Sequence, residues 1–407
     1  MLMSGNDYRE SLRRYRPQVY VDGRAVASVV DEPALAPGVN AIALTYDHAL
    51  REEFAPLMRV AAAGAHEGDV NRMLGIPATG QDLLNKLEAV RLLCQETGCA
   101  QRYPAGDALA AIWQATHALD AQTGSDHSQR LRAYVERVQS EDLTLGVAMT
   151  DAKGDRSLRP HHQPKADAYL HIVERRPGGI VISGVKAIVT AAPYVHEFLV
   201  MPCRNMSEED ADFAVCCAVP VDAAGLTIVA RPAGRPGEKG ALFSSRYGQS
   251  TGVLLFDRVF VPWERVFLAG QWAHAGPLVY HYTAHHRHTC IAARAGFGDL
   301  LIGAGALMTE ANGIDLDRAD NLREQMVELI KIVEGFYACG VAASVYCSDD
   351  GGVAVPDAVF ANIGKLLMAT QIYDMHRLAH HVSGGLIVTL PGPDEDHNPA
   401  TAGRLSE

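Results

Sequence analysis

The chain has 407 residues, enough for a large core and more than one layer or domain. Its 48% hydrophobic and 21% charged residues make an ordinary globular composition, and a net charge of −12 argues against a general binder of nucleic acid or anionic membrane. No run of about 18 apolar residues occurs, so no transmembrane helix is expected. The opening Met1-Leu2-Met3-Ser4-Gly5-Asn6-Asp7 lacks the regions of a signal peptide, and the eight cysteines are scattered, which together predict reduced thiols in a cytoplasmic protein.

Residues 8–142 read as mainly helical. The run 82–93 repeats apolar positions at three and four with an Asp in its first turn, and 108–117 continues likewise. An exception, 18–26, reads as a small hairpin around Asp22-Gly23. Between about 143 and 270 the period changes to two. Ile180-Val181-Ile182, Phe198-Leu199-Val200, Phe213-Ala214-Val215 and Leu226-Thr227-Ile228-Val229 read as short strands separated by Gly, Pro and Asp. Helices return over 292–310, 318–346 and 356–379, long enough for a bundle with short connections. Residues 391–399 read as loop. This order predicts an α+β chain in three parts, 1–142, 143–270 and 271–407.

Two stretches of the middle part stand out. One opens with Ala148-Met149-Thr150-Asp151-Ala152-Lys153-Gly154-Asp155-Arg156 and ends in Gly184-Val185-Lys186-Ala187-Ile188-Val189-Thr190. The other reads Phe256-Asp257-Arg258-Val259-Phe260-Val261-Pro262-Trp263-Glu264-Arg265-Val266-Phe267. They resemble the central β domain of the flavoproteins that group 4-hydroxyphenylacetate 3-monooxygenase oxygenase components with 4-hydroxybutyryl-CoA dehydratases, and the resemblance spans residues 8–391. It implies an acyl-CoA dehydrogenase-like architecture: an N-terminal helical domain, a central β-sandwich or barrel, and a C-terminal helical bundle that family members extend with further helices. It also implies FAD and a homo-oligomer, dimer or tetramer.

A bound flavin needs donors for its pyrimidine edge and phosphates, and apolar cover for its ring. Met149, Thr150, Lys153, Gly154, Asp155 and Arg156 offer a hydroxyl, backbone donors in a Gly-containing turn and two cations; Val189 and Thr190 close the second strand with another hydroxyl. Without the resemblance, the same Lys-Gly-Asp-Arg motif describes a solvated surface loop. Asn312-Gly313 and Gly384-Gly385 match segments that approach the cofactor, often from a neighbouring subunit, although helix ends carry Gly and Asn anyway. Gly296-Phe297-Gly298 before Gly303 has the wrong spacing for a dinucleotide fingerprint.

Family members that dehydrate 4-hydroxybutyryl-CoA hold a [4Fe–4S] cluster on three cysteines and a histidine, soft thiolates suiting the metal. The matching positions here are Cys99, Tyr103, His286 and Ala293. With two thiolates replaced, neither an iron–sulfur cluster nor another metal is expected. Cys94 and Cys290 are neighbours that read as buried thiols or, alternatively, as ligands of a shifted cluster. Thr251 and Cys290 also stand where the dehydratases keep acid–base residues. The Arg-x-Pro turn of the hydroxylases is matched by Arg102-Tyr103-Pro104, which implies Arg102 as an orienting group, while Tyr103 offers a phenolic donor from the neighbouring position. The Tyr that follows that turn in the family is Gly106 here, and its His before the flavin loop is Val147. His286, within His285-His286-Arg287-His288, is the candidate acid or base. His161-His162 reads as solvated.

The function expected is a two-component monooxygenase that takes reduced FAD from a separate reductase and acts on a small organic or carrier-bound substrate. One alternative is a cluster-free flavin enzyme acting on an acyl thioester as isomerase or dehydrogenase. Another is a non-catalytic flavin-binding paralogue.

Overall fold

The computed structural model describes residues 2–62, 68–238, 240–386 and 389–405. Its N-terminal helices are α1 (Gly5–Leu12), α2 (Ala36–Leu50), α3 (Ala55–Met58), α4 (Gly80–Thr97), α5 (Pro104–Thr123) and α6 (His127–Ser140). The Asp in the first turn of α4 has a specific task. Thr79 accepts from the Asp82 amide while Asp82 reaches back to the Thr79 amide, so two orphan donors are met reciprocally. α5 begins on Pro104, whose missing N–H is harmless in a first turn.

The early strands are β1 (Gln18–Val21), β2 (Arg24–Ala25), β3 (Arg59–Ala61), β4 (Asp69–Asn71) and β5 (Leu145–Ala148). The middle ones are β6 (His171–Arg176), β7 (Gly179–Thr190), β8 (Glu197–Val200), β9 (Val215–Pro220) and β10 (Leu226–Ala230). After the short helix α7 (Leu242–Arg246) come β11 (Thr251–Pro262) and β12 (Val266–Ala269). One sheet runs β2-β1-β10-β11-β7-β6 and a second β12-β9-β8-β5. The hairpin at Asp22-Gly23 forms, but β1 also pairs in parallel with β10, so residues 1–142 lend two strands to the central layer and are not self-contained. Phe213 lies outside a strand: 208–213 form a 3₁₀ turn around buried Asp210, and β9 begins at Val215.

Tyr8, Ile42, Phe198, Ile228 and Leu254 belong to one apolar core that joins both sheets to α1 and α2. The other face of the smaller sheet packs on α5 and α6 through Leu109, Tyr134 and Phe267. The C-terminal part holds α8 (Ala275–Ala311), α9 (Asp320–Val345), the hairpin β13 (Ser348–Asp350) and β14 (Val353–Val355), α10 (Ala358–Val382) and α11 (Ala402–Leu405). α8 starts well before the expected 292, because the His-rich run that breaks its apolar pattern lies inside the helix. By length and composition α8 could cross a membrane, yet it is the central strut against which α4, α5, α9 and α10 all pack. Glycines let these helices touch. A Cβ at Gly296 would meet the Arg91 carbonyl at 2.4 Å, and one at Gly298 would meet Val333 at 2.4 Å.

Candidate functional site

The β layer builds one wall of a cavity of about 290 Å³. The chain leaving β5 is pinned by Lys186, a buried ammonium that donates to the carbonyls of Met149 (3.0 Å) and Met201 (2.8 Å) and pairs with Asp151 (2.8 Å). A buried cation is tolerable because every contact it makes is an acceptor. β7 then bulges against β11 at Ala187 and Ile188, where the pairing skips from Lys186↔Leu254 to Val189↔Gly252. The Ala187 amide donates to the Thr150 carbonyl at 2.8 Å, joining the two lining segments. Ile188 has φ +58 and is 72% exposed. A β-branched residue in the left-handed region is strained, and such strain gathers at functional sites. Thr190 also lines the cavity, whereas Val189 turns into the core.

The opposite wall comes from helices. Gln101 and Pro104 lead into α5, and Tyr282, Thr283 and His286 project from α8. The His-rich run is sorted by helical rotation. His285 meets Gln114 of α5 at 3.1 Å, His288 meets Ser344 of α9 at 2.7 Å, and Arg287 reaches Asn362 of α10 at 2.6 Å. Burial lowers His285 to about 3 and His288 to about 4, so both are neutral structural groups.

His286 differs. Its Nδ1 lies 3.2 Å from Asp107, and its Nε2 lies 3.4 Å from the Cys290 sulfur. Asp107 is fully buried and also accepts from Lys86 (2.6 Å) and Thr289 (2.7 Å). Burial alone would push its pKa up, but Lys86 and the His286 bond hold the carboxyl well below the usual range. Burial would likewise lower His286; the Cys290 charge and the Asp107 bond override it and raise the imidazole to about 10. Tyr282 stacks on the ring at 5.1 Å and Tyr103 at 6.1 Å.

Of the residues singled out by sequence, the structure brings Met149, Thr150, Thr190 and His286 to this one cavity, with Val147 beside them. Tyr103 adjoins it, its hydroxyl 4.0 Å from the Cys290 sulfur. Arg102 requires correction as an orienting group. It is fully buried, ion-paired with Asp142, donates to the Asp142 carbonyl at 3.0 Å and lies over the Tyr46 ring at 3.8 Å. Lys153, Gly154, Asp155 and Arg156 form an outer loop held by Gln163, away from the cavity lining. Asn312 and Gly313 are exposed at the far end of α8, about 40 Å along the helix from His286 at 1.5 Å per residue. Gly384 and Gly385 end α10 in left-handed turns and do not line the cavity. His161 is not a solvated residue: its Nδ1 sits 2.6 Å from buried Asp210. Sequence reasoning passed over Lys86, Asp107 and Thr289. The one available signal was a lone carboxylate in the Ala-rich start of α5.

The description 4-hydroxyphenylacetate 3-hydroxylase N terminal matches residues 4–268, and its C-terminal counterpart matches residues 275–407. This chain belongs to the 4-hydroxyphenylacetate 3-hydroxylase family. Among its relatives, 4-hydroxybutyryl-CoA dehydratase/vinylacetyl-CoA-Δ-isomerase of Clostridium aminobutyricum is 34% identical over 100% of this chain and 84% of its own. The 4-hydroxyphenylacetate 3-monooxygenase oxygenase component of Thermus thermophilus is 26% identical over 98% of this chain and 82% of its own. A solved archaeal 4-hydroxybutyryl-CoA dehydratase from N. maritimus superposes with a TM-score of 0.94 at 34% identity, over 100% of this chain and 81% of that one. These likenesses establish the α+β, acyl-CoA dehydrogenase-like fold of the hydroxylase family.

Proposed function

We propose that this chain is an FAD-dependent enzyme whose flavin ring lies in the cavity between the β layer and α8, and that it moves protons on a thioester-bound substrate, as an isomerase or dehydrogenase does. One observation carries this reading: Met149, Thr150 and Thr190 meet His286, held from behind by buried Asp107, across a single cavity. The lining fits a flavin ring, with the Thr150 and Thr190 hydroxyls beside apolar Leu145, Val147, Met149 and the outward-turned Ile188. A fold relative, the oxygenase component of 4-hydroxyphenylacetate 3-monooxygenase, is complexed with FAD. The flavin supplies electron transfer when bound, while this chain supplies position, dry walls and proton control.

The donor set supports a cluster-free reading. Tyr103 and Ala293 occupy two positions of the expected ligand set, His286 Nε2 is engaged by Cys290, and Cys99 accepts from Gln101 at 2.8 Å. The full-length likeness to a CoA dehydratase and isomerase supports a thioester substrate. So does the burial of Arg102, which removes the group that would orient a phenol. A second reading, the two-component monooxygenase fed with reduced FAD by a separate reductase, is favoured by the apolar wall of Leu145, Val147 and Met149, which excludes water from reactive oxygen chemistry. Eight free thiols support a cytoplasmic setting, and the exposed Val359, Leu366 and Tyr373 of α10 support a homo-oligomer.

Flavin fluorescence on titration with FAD tests the first half of the proposal. Binding should weaken about tenfold when Thr150 or Thr190 becomes alanine, the loss of one net hydrogen bond. Absence of FAD binding by the native chain overturns the reading. The reaction class is tested with a short acyl thioester in D₂O. Deuterium incorporation without oxygen uptake is expected. Oxygen consumption with a hydroxylated product, seen only with reduced FAD, would select the monooxygenase. Bound flavin with neither activity would select the non-catalytic paralogue.

A further inference from the structure

Cys290 stands one turn beyond His286 on the same side of α8, with its sulfur 3.4 Å from Nε2. Nδ1 of that ring is engaged by Asp107 at 3.2 Å, and Asp107 is clamped by Lys86 and Thr289. Thiol, imidazole and carboxylate therefore follow the order nucleophile, base, orienter. Both ring nitrogens are engaged, Nδ1 by the carboxylate and Nε2 by the sulfur, so the thiol has a proton partner in place. The ring is fixed between Tyr282 and Tyr103, which keeps the Nε2–sulfur contact in place.

On the far side of the sulfur, Tyr103 is a neutral phenol, backed by Cys94, Cys99 and Arg294. Cys290 is partly accessible, unlike Cys94, Cys216 and Cys217.

We propose that Cys290 is the nucleophile of a Cys290–His286–Asp107 centre that accepts acyl groups from thioesters. Thioesters are the matched class because attack by a thiol exchanges one carbon–sulfur bond for another, and the departing group is itself a thiolate that leaves readily. Attack forms the bond from Cys290 Sγ to the acyl carbon and breaks the bond from that carbon to the departing sulfur. The departing thiolate takes the proton held by His286. No oxidant or reductant enters. This goes beyond the flavin reading and does not depend on it.

The test uses the purified full chain at about pH 6, treated in parallel with S-acetyl-N-acetylcysteamine and with iodoacetamide, followed by peptide mass mapping. The acetyl group should appear on the peptide holding Cys290 and be released by neutral hydroxylamine. Iodoacetamide should label Cys290 at least about tenfold faster in the native protein than after unfolding in urea, and His286→Gln should abolish that advantage while the circular dichroism stays native. Native labelling no faster than unfolded, an unchanged rate in His286→Gln, or alkylation without acetylation each overturns the proposal. None of these readouts uses flavin, so failure here and failure of the flavin reading are separate results.

Discussion

A methyl group added at residue 106 would lie 2.9 Å from the Met73 carbonyl and 3.0 Å from the Lys86 nitrogen. Glycine there lets Lys86 reach Asp107, which explains locally why this chain departs from the tyrosine expected at that place. Gly106→Ala should cost about 1–3 kcal/mol of stability, measured by urea unfolding, because a packed site has no room to give. Arg102 carries a different lesson. Removing it leaves Asp142 buried at 1% exposure, already a carboxyl whose ionisation burial opposes. Arg102→Ala should therefore destabilise the fold by about 3–5 kcal/mol while leaving the FAD affinity of the folded protein unchanged. A changed affinity at unchanged stability would restore Arg102 to the site.

Two elements decide how the site is assembled, and each does so by departing from regularity. The bulge in β7 turns Ile188 outward and lets Thr190 reach the cavity; a continuous ladder would reverse the alternation. Ile188→Gly should relieve the left-handed strain and raise stability by about 1 kcal/mol, seen as a higher melting temperature, while FAD binding weakens through lost apolar cover. α8 works by rotation instead. Successive residues step around the helix, so four neighbouring polar side chains face Gln114, Asp107, Asn362 and Ser344 on three different helices. The run looks like one cluster in sequence and is four separate contacts in space.

At the scale of the molecule, buried neutral histidines tie several layers together. His196 contacts Ser11 at 2.7 Å and accepts from the Thr144 amide at 2.8 Å, while His285 and His288 bind α8 to α5 and α9. In the unfolded chain these rings take a proton near 6.5; burial lowers His196 and His285 to about 3 and His288 to about 4. Between those values the unfolded state binds more protons, so stability rises with pH across the window and falls as the solution is acidified from about 6.5 towards 4. Urea midpoints at pH 7, 5.5 and 4.5 should fall in that order, and His288→Gln should flatten the dependence by one proton.

The period of apolar residues was enough to show helices, then strands, then helices, because it records which face of each element is buried. The resemblance at Met149-Thr150 and Thr190 named the family for a related reason: cavity-lining segments are constrained locally as well as globally. The sequence could not say that Arg102 faces away from the site, nor that His286 is held by a carboxylate 179 residues earlier in the chain. Nor could it separate four adjacent polar residues into three structural contacts and one proton-holding group. Those outcomes depend on which helices pack against α8 and at what rotation. Burial, charge pairing and hydrogen-bond partners belong to that tertiary arrangement and to no residue alone.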